Sequence, residues 1–150
     1  VSLDKANKGD PLMPTTKINI QRVKEKAADI KDALQFLSRY AAQKDEEFLS
    51  NPEAIRAARY CFIVMAEAAT SIAAHFCAQL ICKAPSTYAE SFYLLGEHKL
   101  LDPLLAARLG KMMDFRNLLI HGYGKIDDRR MLQIMRNDLA DVFFGVFEGS

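Results

Sequence analysis

Four polar side chains crowd the end of one apolar run in this 150-residue chain: Arg116, Asn117, His121 and Tyr123, within Arg116-Asn117-Leu118-Leu119-Ile120-His121-Gly122-Tyr123. Each is of a type that can do chemistry on a phosphate. An arginine clamps phosphate oxygens through a rigid two-pronged fork. An imidazole titrates near neutral pH and can carry a proton. An amide can orient either of them, and a phenol offers a hydroxyl. Glycines on both sides of Tyr123 leave the backbone open, so a partner can reach that hydroxyl. Spacing sets a condition on this chemistry. Arg116 and His121 are five positions apart, which places them about 140° around an ideal helix from one another. Two arrangements would bring them together: the helix unwinds near His121, where the glycines begin, or two copies face each other across a dimer. A structural role is the alternative, because cations near a helix C-terminus complement its dipole.

The elements that must position these residues are helices. A first helix is predicted from about Ile18 to Ala42, with Ile20, Val23, Ala27, Ile30, Leu34 and Leu37 on one face. Lys44-Asp45-Glu46-Glu47 reads as the start of a connection. A second helix opens at Asn51-Pro52-Glu53, where Asn is a good N-cap, Pro suits the first turn and Glu complements the positive helix end. It continues to about Cys82 and is apolar nearly all round from Cys61 to Ile81, so it is central to a bundle or faces a partner. Its Ala66, Ala68, Ala69, Ala73 and Ala74 permit close helix packing and motivate a dimer. Thr87-Tyr88-Ala89-Glu90 has capping-box form and opens a short third helix to about Glu97. Asp102-Pro103 opens a fourth, which carries the Arg116–His121 run and stops at Gly122 and Gly124. Asp127 caps a fifth with Leu132, Met135, Leu139, Val142, Phe143 and Val146 on its apolar face. The fold class is therefore all-α, a single-domain bundle of about five helices.

Composition agrees. Half the residues are apolar and 26% are charged, which excludes a disordered chain, and the length suits one domain. No run approaches about 18 uninterrupted apolar residues, so no membrane span is expected. Residues 1–17, polar and containing Gly9, Pro11 and Pro14, read as a flexible leader before a helical domain over 18–150. Met13 can be the natural start, or Val1 can follow a removed Met. No apolar stretch marks a secretory signal. Cys61, Cys77 and Cys82 lie in apolar helical pattern and are expected as buried, reduced thiols in a cytoplasmic protein. Their spacing offers no zinc pattern, so no metal site is expected.

The net charge of +1 conceals an uneven distribution. Residues 1–44 carry an excess of four positive charges and 45–107 an excess of four negative. Residues 108–136 are again four positive and 137–150 three negative. Arg108, Lys111, Arg116, Lys125, Arg129, Arg130 and Arg136 thus surround His121, and phosphate binding follows that local field rather than the total. Glu67 is the notable polar residue of helix two, either paired with Arg59, Arg56 or a dimer mate, or standing at a cleft. His75 reads as a hydrogen-bonded packing residue and His98 as an exposed loop residue. Met112, Met113, Phe143, Phe144 and Phe147 read as core.

Arg116 to Tyr123 also resembles the R-x4-H-x-Y motif of the HepT-like toxin family, within the HEPN class of helical ribonucleases. The likeness extends to Glu47-Phe48-Leu49-Ser50-Asn51-Pro52, to Pro85-Ser86-Thr87-Tyr88-Ala89-Glu90-Ser91-Phe92 and to Arg116-Asn117 through Ile126-Asp127. It covers about Ile18 to Phe147. It implies a metal-independent endoribonuclease toxin without a cofactor, with Arg116 and His121 as the catalytic pair, Asn117 supporting them, and Glu67, Lys125 and Arg129 near the cleft. It implies RNA as substrate and a homodimer whose two motifs line one cleft. It also implies a minimal nucleotidyltransferase antitoxin of the MntA kind, which transfers AMP to Tyr123. Ser71 stands where the family pattern suggests an acid one turn after Glu67. Two other readings compete. A non-catalytic accessory subunit would use the motif to bind a nucleotidyltransferase or its substrate. A purely structural bundle would engage Arg116 and His121 only in internal hydrogen bonds.

Overall fold

The computed structural model describes residues 18–122 and 126–139. The leader over residues 1–17, Tyr123, Lys125, Val142, Phe143, Phe144, Val146 and Phe147 lie outside them. Six α-helices run through the described residues: α1 Ile20–Ala41, α2 Asp45–Leu49, α3 Pro52–Phe76, α4 Tyr88–Glu97, α5 Pro103–His121 and α6 Asp128–Asn137. No strand occurs among them.

Side-chain caps fix where the helices begin. Asn19 Oδ1 accepts the Arg22 amide at 3.0 Å, and Asn51 Oδ1 accepts that of Ala54 at 3.2 Å. Thr87 Oγ1 accepts the Glu90 amide at 3.1 Å. Asp102 takes two amides, Leu104 and Leu105, and Asp127 takes those of Arg129 and Arg130. Each cap satisfies donors that a helix start leaves without a partner. The capping box at α4 reaches one residue further back than its form requires, because Glu90 also accepts the Ser86 amide at 2.7 Å. The segment Asp45–Leu49 adds a helix to the five expected. Three acids in its first turn favour the helix start, and Phe48 goes fully into the core.

The central element is α3. It packs on α1, α4 and α5 and buries Ala58, Phe62, Met65, Ala66, Ala69, Ala73 and Phe76. Pro52–Ile81 is long and apolar enough to cross a membrane by length and composition, yet half of its apolar window is buried inside this bundle. Ala66, Ala68, Ala69 and Ala73 are all buried within the chain. Those four residues serve packing within the chain, while Ala74 is half-buried. A π-helical turn, Cys77–Ile81, continues α3, and Cys82 ends it with φ 59°. That left-handed terminus leaves Cys82 exposed, whereas Cys77 is buried and Cys61 half-buried, so only one of the three expected buried thiols is fully covered. Burial raises the Cys77 pKa, assisted by Glu90, and its thiol donates to the Ser91 carbonyl at 3.3 Å.

The site helix α5 is fastened from two sides. On α3, Phe62 meets Phe115 edge to face at 5.1 Å, and Thr70 Oγ1 bridges the Ala66 carbonyl and Met113 Sδ. On α4, Gly96 lies so close that a Cβ there would stand 2.8 Å from Ala106 Cβ. At the far end, Arg136 of α6 donates to the carbonyls of Ala41 at 2.9 Å and Gln43 at 2.6 Å and pairs with Asp45.

Candidate functional site

Three helices each contribute one side chain to a compact cluster. Arg116 comes from α5, Glu67 from the middle of α3 and Tyr88 from the first turn of α4. Arg116 Nη2 donates to Glu67 Oε1 in an ion pair. The Arg116 guanidinium carbon stands 4.4 Å from the centre of the Tyr88 ring. The Tyr88 hydroxyl donates to Glu67 at 3.3 Å and accepts from Arg116 Nη2 at 3.4 Å. Asn117 Oδ1 accepts from Arg116 Nη1 at 3.0 Å. The arginine side chain is only 12% exposed, while Glu67 is 45% exposed. Arg116 Nε is buried without a partner among the described residues. An unmet donor of that kind costs about 1–3 kcal/mol.

Glu67 thus pairs with Arg116. Arg59, one of the partners expected for Glu67, instead pairs with Asp128 of α6 at 2.7 Å. Ser71 accepts a hydrogen bond from Arg22 Nη2 at 3.2 Å. Tyr88 is the site residue that residue-by-residue reading missed. Its place in the Pro85–Phe92 segment was a signal, but its contacts lie 21 and 28 positions away in the chain.

His121 is exposed and is the last residue of α5. The helix stays regular to that point: the Gly122 amide closes on the Leu118 carbonyl at 2.7 Å. A Cβ at Gly122 would stand 2.4 Å from that same carbonyl oxygen, so glycine is required there by space. The helix therefore does not unwind before His121, and Arg116 and His121 keep their separation of about 140° within one chain. Arg116 turns inward to Glu67 and Tyr88, whereas His121 faces solvent. Tyr123 and Lys125 lie outside the described residues. Arg129 is exposed on the first turn of α6, with no hydrogen bond or ion pair joining it to Arg116 or Glu67 among the described residues.

The positive field is narrower than the sequence suggests. Arg136 is committed to the α1–α2 connection and Asp45. Arg108 lies 3.7 Å from Asp138, with both side chains about half exposed. Lys111, Arg129 and Arg130 are exposed. Arg108, Lys111, Arg130 and Asp138 rim a recess of about 320 Å³ whose apolar wall includes Met112, Phe115 and Ile134.

His75 and His98 fall where expected. His75 Nε2 accepts the Asn19 amide at 3.0 Å, and His98 is exposed at the end of α4. Burial lowers the His75 pKa, and the Arg22 charge adds to that effect.

Comparison with solved structures gives the same fold. A toxin–antitoxin structure with AMP-PNP superposes with a TM-score of 0.77 at 21% identity, covering 87% of this chain and 99% of that one. A tri-AMPylated Shewanella oneidensis HEPN toxin in complex with MNT antitoxin gives 0.77 at 22%, covering 86% and 98%. A mutant MntA–HpeT toxin–antitoxin gives 0.76 at 21%, covering 86% and 99%. No curated protein matches the chain. The model of the family described as ribonuclease HepT-like matches residues 30–143 and takes in α3, α4, α5, α6 and the whole Arg116–Tyr123 motif. The chain belongs to the HepT-like ribonuclease family.

Proposed function

We propose that this protein is the endoribonuclease toxin of a toxin–antitoxin pair and acts on RNA in the cytoplasm as a homodimer. The observation that carries this reading is the contrast along α5. Arg116 is a held, half-enclosed cation, and His121, five residues on, is an exposed imidazole, both in a ribonuclease family. In this account the RNA 2′-hydroxyl attacks the adjacent phosphorus. His121 takes the hydroxyl proton and, once protonated, gives it to the departing 5′-oxygen, so the products are a cyclic phosphate and a free 5′-hydroxyl. Arg116 stabilises the charge that builds on the non-bridging oxygens. Asn117 supports Arg116 through its 3.0 Å contact. The Glu67 ion pair is the resting state that a phosphate must displace. Lys125 and Arg129 extend the positive path for the strand, as does the basic recess beside Phe115. These roles require no metal or cofactor.

The homodimer supplies what one chain lacks, a second motif to bring His121 opposite Arg116. Support comes from α3, where Tyr60 is 69% exposed and Ile63 and Val64 are only half-buried, along the same stripe as Glu67. On α5, Leu118 is also exposed, between Arg116 and His121. For regulation, an MntA-type nucleotidyltransferase antitoxin transfers AMP to Tyr123. The added phosphate and bulk beside Arg116 then oppose RNA entry. The solved structures that share this fold include an AMPylated toxin bound to its MNT antitoxin, which supports that assignment.

The test is RNA cleavage by purified protein in excess EDTA. Arg116→Ala and His121→Ala are each expected to slow cleavage by about 10²–10⁴-fold, the range for lost acid–base or electrostatic groups. If both variants cleave like the parent, the activity lies elsewhere.

A further inference from the structure

We propose that Tyr88 is a positioning residue for Arg116, with its ring as the platform that keeps the guanidinium aimed once RNA has displaced Glu67. The inference rests on the ribonuclease reading above. An arginine side chain has many rotamers, and a transition-state clamp works only if it is already in place. Two groups hold Arg116 in the resting site, the Glu67 carboxylate at Nη2 and the Tyr88 ring, whose face lies against the guanidinium carbon.

These two restraints respond differently to substrate. A phosphate competes with Glu67, because both seek the guanidinium N–H groups. It does not compete with the π face of the ring, over which the guanidinium carbon sits 4.4 Å from the ring centre. Glu67 is also 45% exposed, so its hold is screened by solvent. When the phosphate arrives, the ring is the restraint that stays. The hydroxyl has a secondary part, since it contacts both Glu67 oxygens at 3.3 and 3.4 Å and keeps the displaced carboxylate on the far side.

Tyr88 is itself well fixed. It is the first residue of α4, next to the Thr87 cap, and its carbonyl accepts from Ser91 Oγ at 2.6 Å. Its side chain packs on the core. The Glu90 carboxylate ties down the preceding turn through the Ser86 amide. The platform is thus built into the start of a helix and is not a mobile loop residue.

The test compares Tyr88→Phe with Tyr88→Leu in steady-state RNA cleavage. Phe keeps the ring and is expected to stay within about 3-fold of the parent in kcat. Leu keeps bulk but removes the aromatic face, and kcat is expected to fall by roughly 10–30-fold with KM within about 3-fold, a loss of the size a desolvated cation–ring contact supports. A Leu variant with parental kcat overturns the proposal. So does a Phe variant as impaired as Leu, because the hydroxyl and not the ring would then matter. Nitrogen-15 NMR of the Arg116 side chain in a Glu67→Ala background, where the ring is left as the restraint, reads the same claim without activity. The parent and Phe variants are expected to show a restrained guanidinium, and the Leu variant an averaged one. Equal signals in parent and Leu variant overturn the proposal. If the parent does not cleave RNA, the ribonuclease reading fails and this measurement still decides whether Tyr88 positions Arg116.

Discussion

Arg116 is held by a carboxylate from one helix and an aromatic ring from another, and this sets what can be expected of individual residues. A guanidinium at 12% exposure, with one N–H unmet, is poised for an anion and partly shielded from water. The residue types at the motif were legible, because Arg, Asn, His and Tyr at that spacing already suggest phosphate chemistry. The identity of their partners was not. Glu67 and Arg116 are 49 positions apart, and nothing in the sequence pattern favours that pair over Glu67 with Arg59, on the same helix. The packing of α3 on α5, through Phe62 on Phe115 and Thr70 on Met113, decides it. His75 was read correctly as a hydrogen-bonded packing residue, and it carries a prediction. Its neutral ring accepts the Asn19 amide, and burial and Arg22 lower its pKa in the fold. In the unfolded chain the imidazole takes a proton near pH 6.5, so the unfolded state binds more protons below that value. The stability from neutral His75 is thus present above about pH 6.5 and is lost as pH falls through the lowered folded value. Thermal melts at pH 7.5 and 5.5 should show a drop for the parent. The drop should shrink in His75→Gln, which keeps an acceptor but does not titrate. An equal drop in both would assign it to other groups.

At the scale of elements, helix starts were the most legible feature because their caps are local. Asn51-Pro52, Thr87 with Glu90, Asp102-Pro103 and Asp127 all begin helices in the structure. The short α2 was missed for a physical reason. One turn of helix has almost no periodicity to read, and its stability comes from burying Phe48, a tertiary effect. The alanines of α3 were visible but ambiguous. Small residues allow close approach to any neighbour, and here the neighbours are inside the chain. The pairing of α4 with α5 gives a further test. Gly96 sets their distance, and an added Cβ would meet Ala106 Cβ at 2.8 Å and Pro103 Cα at 3.6 Å. Gly96→Ala is expected to cost about 1–3 kcal/mol through overpacking, lowering the melting temperature by roughly 2–4 °C per kcal/mol. Because α4 carries Tyr88 and α5 carries Arg116, RNA cleavage should fall with it. Gly110→Ala is the control. Its Cβ would meet the Tyr93 ring, which is 41% exposed and free to swing outward. Equal losses in the two variants would contradict this view of the α4–α5 contact.

The whole molecule raises the question that one chain leaves open. Within a single chain, α5 runs unbroken to His121, so Arg116 and His121 point to two different sides. The uneven charge, with positive excess over residues 108–136 and negative excess over 45–107, allows RNA at one surface and a protein partner at another. The charge field was legible only in part, since ion pairs to Asp45 and Asp138 take up Arg136 and Arg108. A shared active site across two copies is the arrangement that reconciles the helix geometry with the chemistry. It is tested most directly by mixing two inactive variants. Arg116→Ala retains His121, and His121→Ala retains Arg116. After co-refolding or subunit exchange, a shared site predicts that the mixture regains a substantial fraction of parental RNA cleavage, on the order of a quarter, because mixed dimers assemble one complete pair. A mixture that stays as inactive as either variant alone would contradict the account.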